Sequence, residues 1–92
     1  MALLTAAERH EFGSTHTGWI VGDDSIARSF VFPDFVEAVG FVTRVALLAE
    51  KAFHHPDIEI RWNTVTLRLS THSEGGLTAK DTDLAARIDS LA

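Results

Sequence analysis

The sequence predicts an α+β fold, with helices packed on one face of a four-stranded antiparallel sheet in the order α-β-β-α-β-β-α. Three observations carry that expectation. Two pairs of short strand-like segments, within residues 19–32 and 58–71, are each interrupted by turn-forming residues, so each pair closes as a local hairpin. A long stretch of helical spacing, residues 34–53, separates the pairs. Thr5 with Glu8, and Thr78 with Asp81, have the capping-box pattern and place a helix before the first hairpin and after the second.

Taken in order, the first helix is predicted over residues 5–13, ended by Gly13. Trp19-Ile20-Val21 and Ile26 to Phe32 follow as strands around the turn cluster Gly22-Asp23-Asp24-Ser25. In the second of them Ile26, Arg28, Phe30 and Phe32 share a face. Pro33-Asp34 breaks the strand and starts the long helix. Its Phe35, Ala38, Val39, Val42, Val45, Ala46, Ala49 and Phe53 form one wide stripe, with Phe41, Leu48 and Ala52 beside it. An apolar surface of that width suggests two contacts, one with the sheet and one with a partner subunit. His54-His55-Pro56-Asp57 ends the helix, and proline holds His55 extended. Strands are predicted over 58–62 and 65–71 around Asn63-Thr64, then a loop at Ser73-Glu74-Gly75-Gly76. The last helix spans 78–90, with Leu77, Leu84, Ala85, Ile88 and Leu91 as its apolar stripe.

Composition bounds the function. Ninety-two residues fit a single domain spanning 1–92, too short to bury a large core, so self-association is an expected source of further stability. With no cysteine there is no disulfide, thiolate metal site or thiol nucleophile. A net charge of −5 argues against direct nucleic-acid binding through a basic surface. No apolar run reaches the roughly 20 residues that span a bilayer, and the first residues lack the order of a signal peptide. A cytoplasmic protein is expected.

Histidine is the chemically unusual residue type. Of the five, His54 and His55 begin the second hairpin and His72 ends it, so an antiparallel pairing returns all three to one edge of the sheet. Histidine both gives and takes protons near neutrality, which makes this a candidate acid/base site. Other readings stand beside it. A His pair at a helix end interacts favourably with the helix dipole and caps free carbonyls. Three imidazoles plus water make a catalytic zinc set, but adjacent histidines on an extended segment point to opposite sides, so no metal is expected. Asp81 reads as a capping residue, Trp19 and Trp62 as core, and His10 and His16 as surface residues.

His54-His55-Pro56-Asp57, Trp62-Asn63-Thr64-Val65, Leu69-Ser70-Thr71-His72, Gly76-Leu77-Thr78 and Lys80-Asp81 together resemble the pterin-4a-carbinolamine dehydratases. The resemblance runs upstream through Phe41-Val42-Thr43-Arg44-Val45-Ala46 to Gly18-Trp19 and covers nearly the whole chain. Two positions depart from the family pattern. Trp62 stands where tyrosine is common, and Phe53 where an acidic or polar residue often precedes the His pair; both are expected to bear on pocket shape.

The resemblance implies an α+β fold, association as dimers or tetramers, and dehydration of 4a-hydroxytetrahydropterin to quinonoid dihydropterin. The pterin is the substrate, and no cofactor or metal is required. It implies His54, His55 and His72 as catalytic residues, with His54 and His72 as the proton-transfer pair and His55, held by Pro56, orienting the pterin. Thr71, Ser73 and Glu74 are expected to contact the ring or its side chain from the loop, and Asp81 to fix a histidine tautomer. A functional link to an aromatic amino acid hydroxylase follows from that reaction. The alternative is a non-catalytic interaction or assembly module on the same fold, binding a protein partner through the long helix.

Overall fold

The computed structural model describes residues 2–92; Met1, the first residue of the expected domain, lies outside them. The chain forms α1 (Ala6–Thr15), β1 (Ile20–Val21), β2 (Ile26–Val31), α2 (Phe35–Ala52), β3 (Asp57–Arg61), β4 (Thr64–Leu69) and α3 (Ala79–Asp89), with a 3-10 turn at His72–Glu74. The predicted order is the observed one. The sheet runs β1-β2-β4-β3 with every neighbour antiparallel, so β2 and β4 are central and pair across six residues, from Ile26↔Leu69 to Val31↔Thr64.

One face of this sheet builds the core. Ile26 and Phe30 of β2 and Val65, Leu67 and Leu69 of β4 alternate inward, as a period of two requires, and are buried. Ala38, Phe41, Val45 and Ala49 of α2 and Leu84, Ala85 and Ile88 of α3 cover them. Phe41 is wholly buried between Phe30 and Phe32, with ring centroids 4.8 and 4.9 Å away. Phe41 therefore lies at the centre of the packed face rather than beside it, while Phe35 and Val39, expected on the stripe, are exposed. The helix is turned so that its large aromatic side chain fills the sheet centre, leaving Phe35, Val36, Val39 and Leu47 on its outer side.

Two further details differ from the sequence reading. α1 continues through Gly13 to Thr15, because Phe12 is buried and the His16 ring stacks on it at 4.5 Å while its Nδ1 meets Thr15 Oγ1 at 2.9 Å. His16 is thus a packed residue rather than a bare surface one. At the far end Trp19 Nε1 and Arg28 both donate to Asp89 Oδ1, at 2.9 and 2.8 Å, tying the β1–β2 hairpin to the end of α3. No helix among the described residues is long and apolar enough to cross a membrane.

Candidate active site

The site begins where α2 ends. Phe53 adopts a left-handed conformation (φ 53°), Phe53 N–H donates to Glu50 O and His54 N–H reaches back to Ala49 O at 3.2 Å. That is a Schellman ending, built here on a phenylalanine where glycine is usual. It turns the chain sharply, so His54 folds under the helix end towards α3 while His55 remains outside. The other wall comes from the segment after β4. Thr71 and Gly76 pair as an isolated bridge and Gly75 is left-handed (φ 76°), folding residues 71–76 into a tight loop that presents His72 and Ser73.

Asp81 lies at the centre, wholly buried. Its Oδ2 accepts from the Thr78 N–H at 2.9 Å, completing the capping box of α3, and from Thr71 Oγ1 at 2.7 Å. Since the Thr71 hydroxyl proton is committed to Asp81, the 2.8 Å contact between Thr71 and Thr78 is a bond donated by Thr78. The other carboxylate oxygen, Oδ1, accepts a hydrogen bond from His54 Nε2 at 2.5 Å. A carboxylate offers only acceptors, so the proton is assigned to Nε2 and a neutral His54 keeps its lone pair on Nδ1. The cap of α3 and the bond to His54, the contacts behind the two separate expectations for Asp81, are made by the two oxygens of one side chain.

Above this buried layer is a cleft of about 310 Å³ lined by Phe53, His54, His55, Ser70, Thr71, His72, Ser73 and Lys80. Its volume lies at the lower end of the range for small-molecule sites, roughly 300–1,000 Å³. His54 is mostly covered, with 11% of its side chain exposed, whereas the His55 side chain is 60% exposed and His72 lies on the surface. His55 Nε2 bonds Glu50 Oε1 at 2.6 Å. The Nε2 atoms of His54 and His55 are thus each engaged by a carboxylate, and no group of metal-ligating side chains is formed among the described residues.

Of the residues named from sequence, His54, His55, Thr71, His72 and Ser73 line the cleft and Asp81 lies beneath it. Pro56 and Glu74 do not line it. Ser70, Lys80 and the Glu50 support were not among the site residues chosen from sequence, whereas Phe53 was expected to bear on pocket shape. Glu50 meets His55, five residues on and beyond the helix end, so neither helical spacing nor any other sequence signal marks the contact, and the left-handed exit at Phe53 that makes it possible carries no signal either. The two departures from the family pattern separate here. Phe53 forms part of the cleft wall, while Trp62 is in the β3–β4 turn at the opposite end of that hairpin, 69% exposed and left-handed (φ 50°), beside Glu59 and Arg61. Trp62 is thus neither core nor cleft wall.

Comparison with known proteins places this arrangement. Residues 2–91 match the family model described as pterin 4 alpha carbinolamine dehydratase. A protein of Roseiflexus castenholzii that carries the family's name is 54% identical, across 98% of this chain and 97% of its own length. A second, from Rhodopseudomonas palustris, is 52% identical across 97% and 90%. The crystal structure of a transcriptional coactivator/pterin dehydratase from Brucella melitensis superposes with a TM-score of 0.92 at 40% identity, covering 99% of both chains. A pterin dehydratase-like protein identified as a RuBisCO assembly factor in the alpha-carboxysome shares the fold at a TM-score of 0.67 and 24% identity, over 80% of this chain and 86% of its own. A family match along nearly the whole chain, on the fold that brings its histidines to one cleft, means that this chain belongs to the pterin-4-alpha-carbinolamine dehydratase family.

Proposed function

We propose that the chain dehydrates 4a-hydroxytetrahydropterin to quinonoid dihydropterin and water by histidine acid/base catalysis, without metal or bound cofactor. Two protons move in that reaction. One goes to the 4a-hydroxyl as its C–O bond breaks and water leaves; the other is taken from the adjacent ring nitrogen, whose electrons form the new C=N bond. The observation that carries the reading is the buried Asp81–His54 pair beneath a cleft that also holds His72. Held by its Nε2–H, a neutral His54 has a fixed acceptor at Nδ1, and His72 supplies a second group for the other proton. His55, anchored on Glu50, orients the flat heterocycle, and Thr71 and Ser73 contact it from the loop. Each positioned proton-transfer group is worth about 10²- to 10⁴-fold. The assay uses freshly generated 4a-carbinolamine with parent and His72→Ala; a variant as fast as the parent removes His72 from the reaction.

In this reading the chain works in the cytoplasm alongside an enzyme that leaves a carbinolamine on its pterin, an aromatic amino acid hydroxylase. It also self-associates. Phe35, Val36, Val39 and Leu47 expose an apolar face on α2, and β3 is an edge strand with all five residues exposed. That same face favours the second reading, a partner-binding module of the kind named for the Brucella melitensis structure. Partner binding would respond to Leu47→Glu and be indifferent to His72→Ala, the reverse of catalysis.

A further inference from the structure

A second cleft of about 320 Å³ opens on the other side of His54, between the end of α2 and the face of α3. It shares His54 and Lys80 with the histidine cleft and adds Lys51, Asp83, Leu84 and Arg87. Both lysines of this acidic chain therefore converge there with an arginine, three positive charges against the single carboxylate of Asp83. None of the four charged groups has an ion-pair partner among the described residues. Lys51 and Arg87 lie in the last turns of their helices, where a cation is favoured by the dipole in any case. Lys80 is different. It occupies the first turn of α3, where the dipole favours an anion, and it is the charged residue that lines both clefts.

We infer that the second cleft binds an anionic group at the end of the pterin's side chain, so that the natural substrate is a reduced pterin bearing a terminal phosphate. The inference rests on the dehydratase reading and specifies its substrate class. Lys80 and Arg87 are seven residues apart on α3, about 10 Å along its axis. Lys80 stands at the junction of the two clefts and Arg87 and Lys51 line only the second, so an anion carried a few bonds from the ring meets all three, whereas a carboxylate attached directly to the ring meets Lys80 alone. Asp83, on the same stretch of helix, accepts hydrogen bonds from side-chain hydroxyls and opposes the terminal charge.

Calorimetric titration with 7,8-dihydroneopterin, its 3′-monophosphate and 6-carboxy-7,8-dihydropterin at low ionic strength tests this. The phosphate ester is expected to bind about five- to tenfold tighter than the neutral pterin, as a few partly solvated charge contacts allow. The carboxylate on the ring, within reach of Lys80 only, should confer a smaller gain that Arg87→Gln and Lys51→Gln leave unchanged. The phosphate advantage should shrink to within about twofold in Arg87→Gln and Lys51→Gln, grow in Asp83→Asn, and fade with added salt. A phosphate ester bound no tighter than the neutral pterin overturns the inference, as does an advantage that survives Arg87→Gln and Lys51→Gln together. Turnover of a neutral 4a-carbinolamine by the parent, assayed alongside, measures the underlying reading. Turnover without a phosphate advantage overturns only the anion cleft, a phosphate advantage without turnover overturns only dehydration, and no binding of any pterin overturns both.

Discussion

Asp81→Asn isolates what the buried carboxylate does, because it preserves shape and reverses one polarity. Two donors converge on Oδ2, the Thr78 N–H and the Thr71 hydroxyl, so the amide oxygen must stay there and the amide NH₂ must face His54. His54 Nε2 then has to accept, which moves the ring proton to Nδ1 and removes the lone pair proposed to work there. The stability cost follows from the same three bonds. Each changes from charge-assisted to neutral, a loss of about 1 kcal/mol apiece, offset in part by no longer burying a charge. A net loss of about 1–2 kcal/mol corresponds to a Tm lowered by about 5–15 °C for a domain of this size. Dehydration should fall much further, by about 10²- to 10⁴-fold. Two measurements decide it: turnover of fresh 4a-carbinolamine at a temperature where the variant is folded, and the His54 tautomer from long-range proton–nitrogen correlation spectra. A variant with His54 switched to the Nδ1–H tautomer and turnover within a fewfold of the parent would refute the assignment of His54 as a proton-transfer group.

Other outcomes follow from particular contacts. Phe53→Gly should raise stability by up to about 1 kcal/mol by relieving the left-handed phenylalanine, which is 86% exposed, and should raise KM by removing a cleft wall; denaturant melts and steady-state kinetics separate the two effects. Gly18→Ala would place a methyl carbon 2.5 Å from the Arg28 guanidinium carbon and displace it from Asp89. Its cost in denaturant melts should largely vanish in an Arg28→Ala background, and an equal cost in both backgrounds would mean that the backbone is the cause. Phe41→Ala should lose about 3–5 kcal/mol, because the ring is wholly buried at the sheet centre. Leu47→Glu, on the exposed side of α2, should leave far-ultraviolet circular dichroism unchanged and lower the mass found by light scattering if that face joins subunits.

The order of elements was legible because it depends on local signals. The capping boxes at Thr5 and Thr78 are both formed, and the two hairpins close as the turn residues require. The rotation of α2 was not legible. Its apolar residues run most of the way round, so periodicity admits several inward faces, and the fit of Phe41 between Phe30 and Phe32 selects one. The convergence of His54, His55 and His72 was readable from hairpin geometry alone, since strand pairing returns the chain to the edge where it began. Trp62 misled because a tryptophan beside a strand end reads as core, whereas the two-residue link between Arg61 and Thr64 leaves it no core to enter.

What sequence spacing kept apart, the fold unites in one side chain. Asp81 at the third position of α3 reads as a cap, and caps are local; nothing in its spacing from Thr78 points to a residue 27 positions earlier. The connection arises because the Schellman turn at Phe53 folds His54 inward just where α3 begins. Orientation of His54 therefore shares its foundation with the start of α3, and the site cannot loosen without loosening that helix. Replacing Asp81 by alanine would strand the Thr78 N–H in the interior, at about 1–3 kcal/mol for each unsatisfied group. Stability alone is thus sufficient reason to keep a carboxylate at this position, and the proposed catalysis would draw on an orientation that the fold already requires. Thr71→Val separates the two roles: it removes a bond to Asp81 Oδ2 while leaving the cap and the His54 contact in place. If tautomer control is the functional role of Asp81, this variant should lose stability while keeping the His54 Nε2–H tautomer; loss of that tautomer would show that the carboxylate alone does not hold it.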